Sequence, residues 1–350
     1  MKKLLSIFLA VILVSGCNSR FKPLPRGEAS PEMKQAVASY IQAMDESGEN
    51  LHSIMVVQHG KVVAERQIAP DTAHFMMSVS KTFTSAAVGF AISEGLLGLD
   101  DRIVDIFPES VPEHPQENLS KVTLRHLLTM NSGHATDPTN EVWTSASGSK
   151  TDKDWIRHFM EWPIVYEPGT CFTYNSLGTY LLSAAVQKAS GKKVVDYLDS
   201  RLWKPLGIEK PRWDESPAGI DCGGWGLYLH TEDMARMGLC LLQDGKFMGK
   251  QVIPSQWARE MTTRKVDCSF AGINSREAAE RGMNPEGNDW MQGYCYQMWR
   301  CTHNAVRADG AAGQFIIVIP EKDAVVVTTA QINNMFLELH KIWELIYPAL

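Results

Sequence analysis

From Met76 to Ser93 the chain carries one charged side chain, Lys81, in a run otherwise apolar, small or hydroxyl-bearing. This pattern predicts a helix that is apolar all round and therefore buried. The motif Glu94-Gly95-Leu96-Leu97-Gly98-Leu99-Asp100-Asp101 ends it. Upstream, residues 31–44 read as an amphipathic helix. Residues 54–58 and 61–65 are β-rich runs on either side of His59-Gly60, a hairpin signal. The middle of the chain is mostly helical. Residues 122–130 close on Asn131-Ser132-Gly133, and 145–151 form a polar loop. A turn at Tyr166-Glu167-Pro168-Gly169 precedes a short extended run at 172–174, and a helix over 177–189 is stopped by Gly191. Residues 231–242 give an amphipathic helix with Thr231 and Asp233 at its start, and 264–289 read as an irregular charged excursion near the mouth of a site. Strands return at 294–300, 314–320 and 324–329, before a last helix over 335–347. Strands at both ends around central helices predict an α+β fold. Its antiparallel sheet comes from about 32–77 and 290–350, and an inserted, mostly helical subdomain from about 78–289.

The amino terminus lies outside this pattern. Lys2 and Lys3 precede an apolar run, residues 4–14, too short to span a bilayer. It closes on Val14-Ser15-Gly16-Cys17, which resembles a bacterial lipoprotein signal. Residues 1–17 are then signal and lipobox, Cys17 is the lipidated residue, and 18–31 are a tether to the folded domain 32–350. The plain alternatives are an ordinary cleaved signal or a free cysteine. Asn18 rather than Asp after the cysteine favours the outer membrane, facing the periplasm, in enteric-type bacteria. A net charge of −6 without a Lys/Arg-rich block excludes a nucleic-acid footprint. Export permits disulfides among the other six cysteines, although spacing does not choose a pairing. Cys240 falls on an apolar helical face, and Cys295 and Cys301 stand too far apart to bond along a straight strand. No zinc spacing and no His-Glu-x-x-His occurs, so neither metal nor cofactor is expected.

Burying Lys81 is costly unless it deprotonates or finds partners, and desolvation lowers a lysine pKa. Ser78 lies one helical turn before it, so a hydroxyl sits beside a potential base. Ser-x-x-Lys alone is a weak signal, because Ser19/Lys22, Ser147/Lys150 and Ser190/Lys193 repeat it in polar surroundings. Lys81 can alternatively run its charge out to the surface over an apolar patch.

Further blocks give the pair a context. Ser78-Val79-Ser80-Lys81, Glu94–Asp101, Thr123-Leu124-Arg125-His126-Leu127-Leu128-Thr129-Met130-Asn131-Ser132-Gly133, Tyr174-Asn175-Ser176, Thr231–Arg236 and Asp309-Gly310-Ala311-Ala312-Gly313-Gln314 occur in this order. Together they resemble the serine β-lactamase and penicillin-binding-protein superfamily. The likeness is to the class C-like branch with its family VIII esterases, 6-aminohexanoate-dimer hydrolases and DD-peptidases, and it covers roughly 32–348. The resemblance implies a serine hydrolase with Ser78 as nucleophile and Lys81 and Tyr174 as general base and acid, which of the two is the base being left open. It also implies an oxyanion hole from the N–H groups of Ser78 and Ala311, with Gly310 letting substrate approach the backbone. Asn175, Asp309 and Trp225 are candidate substrate contacts, and Trp143, Trp290 and Trp299 are further candidates for the pocket wall.

Two departures bear on substrate. Where lactamases carry Lys or His at the start of the third block, this chain has Ala308, so a substrate carboxylate loses a partner. Asp309 either favours neutral or amine-bearing substrates or pairs with a nearby cation. Tyr174-Asn175-Ser176 replaces Tyr-x-Asn, one place out of step. Both point to a small ester or amide. The alternatives are a β-lactamase or DD-carboxypeptidase acting on cell-wall peptides, and a non-catalytic envelope binding protein. No Gly-x-Ser-x-Gly elbow is present. Oligomeric state is not legible.

Overall fold

The computed structural model describes residues 22–144, 149–150 and 154–350. The expectations for Cys17, for the tether up to residue 21, for most of the 145–151 loop and for the Trp143 side chain fall outside the described residues.

The first helix, α1 (Pro31–Glu46), starts where Ser30 Oγ accepts the Met33 N–H at 3.0 Å with proline at the first helical position. It buries Met33, Ala36, Val37, Tyr40 and Met44, one stripe of the helix. Strands β1 (Asn50–Gln58) and β2 (Lys61–Gln67) follow, turning through His59 and Gly60 at φ 51° and 73°. Two consecutive left-handed residues match the right-handed twist of a tight hairpin. Three helices that matter for the site are α2 (Ser80–Ser93), α3 (Ser176–Ser190) and α4 (Thr231–Leu242). The chain ends with β3 (Trp299–Arg300), β4 (Val306–Gly310), β5 (Gln314–Ile319), β6 (Ala324–Gln331) and α5 (Met335–Lys341).

The six strands form one antiparallel sheet in the order β2-β1-β6-β5-β4-β3, so the amino-terminal hairpin is inserted beside the carboxy-terminal strands. Alternation sorts its side chains onto two faces. Met55, Val57, Ile316, Val318, Val325 and Val327 join the core beneath α2 and α4, whereas Ile54, Val56, Phe315, Ile317 and Val326 pack toward α1 and the last helix. This is the α+β arrangement expected from the hydrophobic pattern. In α2 every residue from Ser80 to Ala91 is buried, Lys81 included.

Several local expectations need correction. The 294–300 run is not one straight strand. It folds back at Gln297, at φ 66°, with the Cys295 N–H donated to the Met298 carbonyl at 2.8 Å, and only Trp299–Arg300 pairs with β4. The 172–174 run is irregular, the 122–130 helix contracts to Leu124–Leu128, and the 264–289 excursion contains a short helix, Ser275–Glu280. Cys171, Cys222, Cys240, Cys268, Cys295 and Cys301 are all free and buried.

Candidate active site

The residue before Ser78 is strained. Met77 has φ 48°, a left-handed conformation that costs a side chain with a Cβ. The turn is held by Ser80, whose hydroxyl donates to the Met77 carbonyl at 2.7 Å and accepts the Leu227 N–H at 3.2 Å. The Met76 N–H bonds the Leu227 carbonyl at 2.8 Å. Ser78 therefore sits half-exposed in a tight turn, Met77–Val79, leading directly into α2. Strain of this kind collects where a side chain must be presented in one orientation.

Lys81 is 1% exposed, which rules out the surface-reaching alternative. Its Nζ lies 2.8 Å from Ser78 Oγ, 2.9 Å from Ser176 Oγ and 2.8 Å from the Gly224 carbonyl. Three partners match the three N–H bonds of an ammonium. In the neutral amine two N–H bonds remain. The Gly224 carbonyl can only accept and Ser176 can do so, which leaves the lone pair for the Ser78 hydroxyl. Burial favours that neutral form. It brings the Lys81 pKa down to about 7, against an opposing pull from Asp137 and Asp309. Asp137 is held beside Ser176 by accepting its backbone N–H at 3.1 Å, and burial lifts its carboxyl above the ordinary range.

Tyr174 completes the cluster. Its phenol interacts with Ser78, and Lys81 Nζ is 4.8 Å from the ring centroid. Burial raises its pKa, with Ser78 pulling the other way, so the phenol keeps its proton. The lysine beside it is itself pushed toward neutrality and gives a phenolate little support. The ring stacks on Trp299 at 5.3 Å.

The third block lies alongside. A Cβ added to Gly310 would come 2.5 Å from the Met76 carbonyl, so glycine here lets β4 run against the turn that carries Ser78. Its space is taken by protein backbone rather than substrate, a correction to the expected role. Ala311 follows at the exposed end of β4.

Other expected contacts are elsewhere. Asn175 is 2% exposed and caps α3, its Oδ1 accepting the Gly178 N–H at 3.0 Å. Asp309 is tied to Arg307 at 2.8 Å, since residues two apart on a strand share a face. Of the two readings weighed for Asp309, the pairing is the one the structure shows. Trp225 is core, packed on Trp155 at 5.7 Å, with its carbonyl accepting from Trp213. Trp290 covers the Arg307 guanidinium at 4.4 Å, and among the described candidate tryptophans it is Trp299 that touches the cluster, through Tyr174. Ser176, the Gly224 carbonyl and Asp137 escaped sequence reasoning. Ser176 is the last residue of the Tyr174 block, where no role was assigned to it, whereas nothing in the local pattern marks the other two.

The model of the family described as Beta-lactamase matches residues 38–346, nearly the whole described domain. The chain belongs to the beta-lactamase family. It is a serine hydrolase of that family, similar to a 6-aminohexanoate-dimer hydrolase of Paenarthrobacter ureafaciens, 28% identical over 296 residues, 79% of this chain and 71% of the relative. Solved beta-lactamase-fold structures superpose across most of the domain. The octameric penicillin-binding protein homologue from Pyrococcus abyssi gives a TM-score of 0.69 at 19% identity, covering 90% of this chain and 77% of that one. EstCE1, described as a hydrolase with promiscuous acyltransferase activity, gives 0.68 at 16% identity, covering 89% and 99%.

Proposed function

We propose that the protein cleaves a small ester or amide through an acyl-enzyme on Ser78, with neutral Lys81 as the base. The observation that carries this reading is the buried Lys81 amine, 2.8 Å from Ser78 Oγ and half-deprotonated near pH 7. Its lone pair takes the Ser78 proton as Oγ attacks the carbonyl carbon. The N–H groups of Ser78 and Ala311 receive the oxyanion. As the intermediate collapses, the protonated phenol of Tyr174 supplies the leaving atom's proton, and the Lys81 ammonium restores it. Water then repeats the sequence on the acyl group.

The substrate class rests on what surrounds the nucleophile. Ala308 is buried and apolar, and Asp309 is neutralised by Arg307, so the strand offers no free cation for a substrate carboxylate. The relative named as a 6-aminohexanoate-dimer hydrolase supports an amide or ester. We place the enzyme at the cell envelope, lipid-anchored through Cys17 and facing the periplasm. A Cys17→Ser chain that stays in the membrane fraction would contradict this placement.

Purified protein starting at Asn18 is expected to hydrolyse p-nitrophenyl short-chain esters, to be labelled by a fluorophosphonate, and to turn over nitrocefin slowly or not at all. Ser78→Ala should abolish both hydrolysis and labelling. Undiminished turnover by that variant would sink the assignment, and rapid nitrocefin turnover would move the substrate class to β-lactams.

A further inference from the structure

The hairpin loop between β4 and β5 is clamped from behind by one buried side chain. Gly310 pairs with Gln314, leaving Ala311, Ala312 and Gly313 as the loop, with Ala312 at φ 65° and Gly313 at φ 91°. Gln314 is 3% exposed. Its Nε2 donates to the carbonyls of Ala330 at 2.6 Å, Ala312 at 3.1 Å and, more weakly, Ala311 at 3.4 Å, while its Oε1 accepts the Ala330 N–H at 3.2 Å. Two β6-side groups share the task. Thr328 Oγ1 donates to the Gly313 carbonyl at 3.1 Å, and the Ile332 N–H donates to the Ala312 carbonyl at 3.2 Å. All three loop carbonyls are thus turned toward the body of the protein. In a trans peptide the N–H points opposite to the C=O. Fixing the peptide that follows Ala311 holds one end of that residue, and the Gly310 contact with Met76 holds the other.

We propose that Gln314 is a positioning residue for catalysis, its carboxamide locking the Ala311 loop so that the Ala311 N–H stays aimed at the oxyanion position beside Ser78. The inference rests on the reading of Ala311 as an oxyanion donor. Without the carboxamide, the left-handed Ala312 has fewer contacts to hold it, and the loop can relax toward geometries in which the donor misses its target. The contribution is confined to the tetrahedral state, because a ground-state carbonyl places much less charge at that point.

The test compares wild type with Gln314→Met, of similar length but without hydrogen bonds. For a p-nitrophenyl ester, kcat should fall about tenfold to a hundredfold while KM changes little. Affinity for an arylboronic acid, which forms a tetrahedral adduct on Ser78, should fall by a similar factor. Unchanged kcat and boronate affinity, or a loss confined to KM, would overturn the proposal. If Gln314→Met does not fold, Thr328→Val, which frees the Gly313 carbonyl and leaves the Gln314 carboxamide in place, is expected to show a smaller loss with the same split, and its absence would count equally against the idea. A wild-type protein inactive on every ester and unlabelled at Ser78 would instead refute the parent reading.

Discussion

Two cations are buried around the same pair of stacked rings, and they are handled in opposite ways. Lys81 lies over Tyr174 and Arg307 over Trp299. Arg307 is fully buried, donates to Asp309 through Nε with Nη2 2.8 Å from the same carboxylate, and donates through Nη1 to the Asp289 carbonyl and to Cys301. Burial works against its charge, but Cys301 and Asp309 outweigh it, and the guanidinium is locked in the charged state. Lys81 touches two hydroxyls and a carbonyl and no carboxylate directly, so burial wins and its proton becomes labile. A buried cation with a contacting carboxylate is scaffold. One with only neutral contacts is a base.

Exchanging each cation for methionine breaks the comparison most sharply. Lys81→Met should lower kcat/KM for p-nitrophenyl esters by roughly 10²–10⁴-fold, the range for loss of a positioned base. Its effect on stability has the other sign. The folded Lys81 pKa of about 7 lies below its ordinary value of 10.5. The unfolded chain therefore holds more protons between those values, native stability rises with pH across that window, and below it the full penalty stands. Urea denaturation at about pH 6 should find Lys81→Met at least as stable as wild type. Arg307→Met leaves the Asp309 carboxylate buried without its partner and should cost about 3–5 kcal/mol in the same denaturation experiment. Equal stability losses for the two variants would show that the distinction is wrong.

A smaller effect sharpens the same contrast. Asp137 is the stronger of the two negative influences that hold the Lys81 pKa up against burial. Asp137→Asn should move the acid limb of the pH–rate profile to lower pH with the plateau largely kept. A limb that moves upward or stays in place would remove Asp137 from the electrostatics of the site.

How much of this was readable beforehand follows from which forces are local. The helix over 231–242 and the two hairpins depend on caps, turns and short-range periodicity, and they lie where the pattern places them. The buried lysine was legible because one charge in an apolar run is a local anomaly. The 294–300 run was misread because a period-two apolar pattern also fits a segment that folds back on itself at Gln297. Asn175 and Trp225 were expected at substrate and are instead a helix cap and a core residue, since neither a cap partner nor a packing neighbour is written near them in sequence. Asp309 was half legible: Arg307 two residues earlier on one strand was a ready partner. The Gly224 carbonyl and Asp137 reach Lys81 only through the tertiary fold.

The most direct test is the pH dependence of Ser78 acylation, followed as the first-turnover release of p-nitrophenol. With Lys81 as the base, the rate should rise through a single ionisation near pH 7 and level off above it, and the rise should disappear in Lys81→Met. A rate that is flat from about pH 5 to about pH 9, or one that climbs without a plateau toward the ordinary lysine range, would contradict a neutral Lys81 acting on Ser78.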